Sequence, residues 1–396
     1  MTVDPDRLQA SWARVVAHGD AVPTYFYAAL FARNPQLRQL FPASMAGQRD
    51  RLVTALGRIV AGVGQPDVML PFARGLGRDH RRFDVRPEHY PPVGEALLAT
   101  LSQFLGPDWD ADLAAGWTEA YSLVAQVMCD AAAEATRNEP PYWRALVVEH
   151  ERRGLDVAVV RLQVDQPMPY WYLPGQSCAI EVPTRLRLWR YYSPANIPRR
   201  DGLVELHVKA VPGGEVSTAI VQSLRNGDEI RVGAPIGHSL TLDPDSGRDL
   251  LLLAGGTGLA PLKALTEQLA AEGGRRRVTL VVGGRTGGDL YDLPALETMA
   301  QQMPWLTVVP TLSHDAHAVG VHRGNAVDVA LRMGRWDAHD IYVCGPAEMV
   351  ATSRERLAEA GIAPQQVRSE DGTNDPYRPD SVATLTVADR AEVYAR

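Results

Sequence analysis

Cysteine, lysine and long apolar runs are what this 396-residue chain has least of. Its three cysteines, Cys129, Cys178 and Cys344, lie far apart with no CxxC pair. That excludes a disulfide framework and a thiolate metal cluster. No stretch of about 18 consecutive apolar residues occurs, so no membrane span is expected. The N-terminus, Met1-Thr2-Val3-Asp4-Pro5-Asp6, has no basic region followed by an apolar one, and a cytoplasmic chain is expected. A net charge of −7 argues against nucleic-acid binding through charge alone. Of 40 basic residues only Lys209 and Lys263 are lysine, so an arginine by itself says little about phosphate recognition. What remains is ordinary globular material, 45% hydrophobic and 22% charged. The length suits about two to four domains.

Three compositional zones follow one another. Residues 1–147 read as all helical. Apolar side chains recur at helical spacing in Leu8, Trp12, Val15; in Leu52, Leu56, Ile59; in Leu97, Leu101, Phe104; and in Trp117, Tyr121, Val124, Met128. Asn138-Glu139-Pro140-Pro141 closes the zone, because paired prolines end a helix. Residues 148–246 switch to period two, with strands over Leu155–Leu162, Leu203–Val208 and Glu229–Val232 and glycine turns between them. A small antiparallel barrel is expected. Residues 247–372 alternate short apolar strands (Leu250–Leu253, Val278–Val282, Leu306–Val309, Ile341–Val343) with helical patterns, as a parallel α/β sheet requires. Residues 373–396 carry no assignable pattern.

In the helical zone, Tyr27, Phe41, Gln48, His80 and Tyr90 are polar or aromatic residues set in apolar surroundings. A lone histidine is more often structural than a ligand. The order of these residues, with Phe83-Asp84-Val85-Arg86-Pro87-Glu88-His89-Tyr90 and Val93–Leu98, closely resembles the globin domain of flavohaemoglobins. The resemblance implies haem b with His80 as the axial iron ligand and Tyr27 and Gln48 on its distal side. It also implies Phe41 packed on the porphyrin and Tyr90 on the proximal side. A neutral imidazole leaves the sixth iron position open, and a phenol donor stabilises charge on bound dioxygen. The family usually sets a glutamate on the last helix to accept from the proximal histidine. The matching position is Ala132; Glu134, two residues on, is rotated by about 200° on a helix. The residue before the ligand, Asp79, also departs from the lysine of some members.

In the barrel zone, Arg190-Tyr191-Tyr192-Ser193 matches the RxYS pattern of ferredoxin reductases. Tyrosine offers a face to a flavin ring, arginine a fork to pyrophosphate, and serine a hydroxyl. Tyr172 upstream and Gly214, Val216 and Ser217 downstream stand where that family's other FAD contacts lie.

In the α/β zone, a strand runs into Gly255-Gly256-Thr257-Gly258-Leu259-Ala260, a glycine loop at a helix start suited to a dinucleotide. Cys344-Gly345-Pro346 resembles the family's second nicotinamide motif. Arg285 follows the second strand, where it could meet a 2′-phosphate. No acidic residue marks the position, but NADH-using relatives often carry Arg-Thr here, so the resemblance leans to NADH over NADPH. After Glu370-Asp371 the family places an aromatic over the flavin; here stands Gly372, and Tyr377 in the tail is the alternative cover.

The resemblance covers residues from about 5 to 372 and all three modules in order. It implies an all-α globin, an antiparallel FAD barrel and an α/β NAD domain acting as a monomer. Hydride passes from NAD(P)H to FAD, electrons pass singly to haem, and O2 converts nitric oxide to nitrate. Two alternatives stay open. One is a divergent oxidoreductase acting on peroxide or quinone. The other is an O2-binding or sensing globin with its own reductase.

Overall fold

The computed structural model describes residues 4–165, 170–315 and 319–370. The described chain divides into two compact units, Met1–Tyr142 and Trp143–Arg396. No helix among the described residues is long and apolar enough to cross a membrane.

The first unit is helical: α1 (Pro5–Val16), α2 (Ala21–Arg33), α3 (Ala46–Ala61), α4 (Pro66–His80), α5 (Tyr90–Leu105) and α6 (Ala111–Asn138). Local chemistry marks the starts. The Asp4 and Asp110 side chains cap α1 and α6 by accepting from Arg7 N (3.2 Å) and Leu113 N (2.8 Å). Pro5 and Pro66 open α1 and α4, where a missing N–H costs nothing. The helices bury two apolar clusters. The larger gathers Leu8, Trp12, Phe26, Tyr27, Leu30 and Leu101. The smaller gathers Met69, Ala73, Val124 and Met128 between α4 and α6. These two helices touch closely at Gly77, where a Cβ would lie 2.2 Å from the Met128 carbonyl oxygen. That approach fixes the end of α4, three residues on, where His80 sits.

The second unit opens at Trp143 rather than at residue 148. Strand β1 (Trp143–Arg152) already alternates buried Trp143, Ala145 and Val147 with exposed Arg144, Leu146 and Val148. The prolines stop α6 as expected, but the chain enters the sheet almost at once. With β2 (Val157–Val164), β3 (Ser177–Glu181), β4 (Arg190–Tyr192), β5 (Leu203–Lys209) and β6 (Glu229–Ile236) it forms an antiparallel six-stranded sheet in the order β4-β3-β6-β1-β2-β5. Helix α7 (Glu215–Gln222) packs Val216, Ile220 and Val221 into the core of this sheet.

The remaining strands are β7 (Leu250–Gly255), β8 (Val278–Gly284), β9 (Leu306–Leu312), β10 (His322–Arg323), β11 (Asp340–Cys344) and β12 (Val367–Glu370). They are all parallel, in the order β10-β9-β8-β7-β11-β12. Helices α8 (Leu259–Ala271) and α9 (Leu293–Gln302) cover one face, α10 (Ala326–Met333) and α11 (Ala347–Glu359) the other. The strand order reverses between β7 and β11. In such sheets the crevice at the carboxyl ends of those two strands is where ligands bind.

Candidate functional site

The helical unit sets its candidates on the two apolar clusters. Tyr27 of α2 is buried, with ring centroids of Phe41 at 5.4 Å and Phe31 at 5.7 Å. Its hydroxyl donates to the Gln48 carbonyl oxygen at 3.5 Å. Burial pushes the phenol up to about 12, against the opposing effects of Gln48 and Arg51, so it stays protonated. The Gln48 side chain faces Arg51, accepting from its guanidinium at 3.2 and 3.4 Å. Arg51 was not legible as a site residue, because an exposed arginine in this composition carries no signal. Helix α3 supplies half-buried Leu52, Val53 and Leu56 to the larger cluster and Ile59 to the smaller.

His80 ends α4. Its Nδ1 lies 2.6 Å from the Leu76 carbonyl oxygen. A carbonyl only accepts, so Nδ1 carries the proton and Nε2 keeps its lone pair. Burial lowers the imidazole below its ordinary value, against the opposing Leu76 bond and the Asp79 charge, which favours the neutral ligand form. Among the described residues no group of three or more His, Cys, Asp or Glu side chains is placed to hold a metal ion. A single neutral imidazole beside apolar walls fits haem iron, whose other equatorial ligands come from the porphyrin. Tyr90 opens α5 against the smaller cluster, and its carbonyl accepts from the Tyr121 hydroxyl at 2.6 Å. Its own hydroxyl is pushed up by burial and by neighbouring Cys129. Ala132 is half-buried, and the Glu134 carboxylate is paired with Arg74. Around His80, Asp79 pairs with Arg82 at 2.9 Å, both buried, and buried Glu139 receives Arg78 and Arg81.

In the second unit one cavity of about 850 Å³ opens at the reversal of strand order. One wall carries Arg190, Tyr191, Tyr192 and Ser193 with Gly214, Val216 and Ser217; the other carries Gly255–Gly258, Ala260, Cys344, Gly345 and Pro346. Arg285 lies on the same cavity with Ser313 and His314. Two proposed contacts are placed elsewhere. Tyr172 is in the barrel core, its hydroxyl donating to Asn196 O at 3.0 Å, so its ring is spent on packing. Leu259 is buried under the sheet, leaving only its backbone at the helix start. Asp371, Gly372 and Tyr377 lie outside the described residues.

The loop after β7 is cut to fit. A Cβ on Gly258 would lie 2.3 Å from the Cys344 carbonyl oxygen, so this glycine lets the loop after β7 lie against the end of β11 within one wall. Gly256 has φ +52° and nothing within 4 Å of a built Cβ, so its backbone lies bare to the cavity. With the N-terminus of α8 behind it, this is a cradle that suits a pyrophosphate. Sequence patterns also missed Ser177 and Glu370. Ser193 Oγ lies 3.0 Å from Ser177 Oγ, which donates to Glu370 Oε1 at 3.4 Å. Ser177 lies in β3, Glu370 in β12 and Ser193 just after β4, and only their contact marks them.

Family models match the chain in the same order: Globin over residues 24–128, Oxidoreductase FAD-binding domain over 144–240, and Oxidoreductase NAD-binding domain over 252–355. Flavohemoprotein of Bordetella parapertussis is 29% identical over 381 residues, 89% of this chain and 93% of its own. Flavohemoprotein of Bacillus subtilis is 25% identical, over 89% and 92%. The reductase component 1 of terephthalate 1,2-dioxygenase from Comamonas is 30% identical over 255 residues, 61% of this chain and 74% of its own. The solved flavohemoglobin of Malassezia yamatoensis, with bound FAD and heme, shares the fold with a TM-score of 0.75 at 21% identity, over 94% of this chain and 99% of its own.

Proposed function

We propose that this chain, which belongs to the flavohaemoglobin family of oxidoreductases, is an NAD(P)H-dependent nitric oxide dioxygenase acting as a cytoplasmic monomer. One observation carries the reading: a single chain holds a protonated Tyr27 phenol and a neutral His80 in its helical unit, and a flavin-and-nicotinamide cavity in the other. Haem b, FAD and the nicotinamide together turn a two-electron hydride donor into single-electron delivery to an iron able to use O2.

The chain's own residues do the rest. His80 offers Nε2 to iron while the Leu76 carbonyl fixes its tautomer and ring plane. The Tyr27 hydroxyl, which here donates to the Gln48 carbonyl beside Phe41, would turn to donate to a bound O2 on its distal side. Arg190 would hold the FAD pyrophosphate, and Tyr191, Tyr192 and Ser193 would offer the flavin ring its faces and a hydroxyl from the same wall of the cavity. Ser193, Ser177 and Glu370 hold a proton beside that ring. Gly256 and the start of α8 would hold the nicotinamide pyrophosphate, Cys344 and Gly345 would border its ring, and Arg285 would meet the adenosine end; NADH is the donor we favour.

The test is NADH-driven loss of nitric oxide under air, with haem reduction followed in the same sample. Fast loss supports the reading; intact haem reduction without loss of nitric oxide overturns it. A second reading rests on Glu134, which is paired with Arg74 while His80 is backed by a neutral carbonyl. That arrangement favours a slower oxidoreductase with another acceptor, or an O2-binding globin with its own reductase.

A further inference from the structure

The chain uses arginine almost everywhere, and only two of its 40 basic residues are lysine. Both lie at the seam between the barrel and the parallel sheet. Lys209 of β5 bridges Asp156 (3.3 Å) and Asp289 (3.5 Å), the latter from the loop after β8. Lys263 of α8 is buried, and its ammonium donates to Glu205 Oε1 of β5 at 2.5 Å.

Lys263 joins a polar network centred on Glu205. Glu205 also accepts from Arg161 Nε at 2.8 Å and lies 3.0 Å from His207 Nε2. His207 Nδ1 lies 2.8 Å from the Tyr291 hydroxyl, and His207 lines the cavity. Asp292 faces Lys263 at 3.9 Å. One turn further along α8, the Glu267 carboxylate accepts from Ile197 N of the barrel at 3.1 Å. Residues 263 and 267 share one helix face, so that face of α8 is fastened to the barrel at two points. The other end of the helix is the glycine loop, tied through Gly258 to the Cys344 backbone. The Lys263 ammonium sits between the buried Glu205 and Asp292 carboxylates, and an ammonium is a compact point charge where a guanidinium is a wide plane.

We propose that Lys263 is a positioning residue for hydride transfer: by fastening α8 to Glu205 of β5, it sets the spacing between the wall of Arg190–Ser193 and the wall of Gly255–Cys344. The proposal rests on the reading of that cavity as a flavin and nicotinamide site. It touches neither group itself; the reaction is sensitive to it because donor and acceptor must meet at contact distance.

The experiment is anaerobic stopped-flow bleaching of the flavin by NADH in the full-length holoprotein. It compares the parent with Lys263→Met, Lys263→Arg and the double variant Lys263→Met/Glu205→Gln. The double variant removes both members of the Lys263–Glu205 pair, so neither is left without the other. The limiting rate should fall about tenfold to a hundredfold in Lys263→Met, the cost of a sub-ångström to 1 Å misplacement. Lys263→Arg should not rescue it. The double variant should regain the parent's thermal midpoint and flavin content without regaining the rate. With deuterium at the transferring position of NADH, the isotope effect should also rise in the variants. A double variant with the parent's rate would make Lys263 only a charge partner of Glu205 and overturn the proposal, and it decides the case if Lys263→Met does not fold. A parent flavin that NADH and NADPH leave oxidised would instead overturn the reading of the cavity.

Discussion

Tyr27 and Glu205 show burial acting on acids in opposite settings. Tyr27 has a carbonyl oxygen as its partner and no cation close enough to outweigh burial, so its proton stays. Replacing it with phenylalanine keeps the ring against Phe41 and removes only the donor. The expected result is O2 release from the reduced protein faster by about 10–100-fold, the worth of a hydrogen bond to a charged acceptor at about 1.5–3 kcal/mol. Flash photolysis of the ferrous protein under O2 measures it, and an unchanged release rate would remove Tyr27 from the distal side. At Glu205, burial also raises the carboxyl, but His207 and Lys263 more than offset it and hold it below the usual carboxylate range. A carboxyl lowered on folding contributes stability that is whole above its unfolded value and is lost as pH falls through the folded one. Urea midpoints of the parent should therefore decline as pH drops below the ordinary carboxylate range. Glu205→Gln should flatten that decline.

Helices α4 and α6 meet where the sequence shows only a glycine in a helical stretch. By propensity alone Gly77→Ala should stabilise α4 by about 0.5–1 kcal/mol. The Met128 backbone at 2.2 Å reverses the sign, because backbone cannot yield as a side-chain tip can. The helices must part, and overpacking of this kind costs about 1–3 kcal/mol. Thermal unfolding should show a lower midpoint, with looser haem retention because His80 lies one turn further on. Sequence periodicity identified the elements but not this contact. The start of β1 was misplaced for a related reason: Trp143, Ala145 and Val147 alternate properly, but the signal is short and follows directly on a helix and two prolines. β2 and β5 bury both faces over most of their length, and their longer runs of valine and leucine were signal enough.

The two units of the molecule are separately compact, and the proposed groups divide between them. His80→Ala should lose haem and nitric oxide removal together. NADH-driven reduction of ferricyanide, which draws only on the second unit, should stay near the parent rate. Loss of both activities would show that the second unit needs a loaded helical unit; retention of haem would reopen the reading of the first unit as a plain helical bundle.

The sequence by itself determined the order of modules, the class of each fold, and those cavity-lining residues that stand in contiguous patterns: Arg190–Ser193, Gly255–Gly258 and Cys344–Pro346. Such residues are legible because one turn or one strand end must place them all against a ligand. Tertiary structure alone decided that Tyr172 packs in the barrel core, that Glu134 belongs to Arg74, and that Ser177 reaches Glu370 across 193 positions of chain. It alone decided that Lys263 meets Glu205, 58 residues away. Those pairings arise where separate elements are brought together by burying their apolar faces. A pattern along the chain records which face is buried, but not which polar groups come to lie opposite one another at the seam.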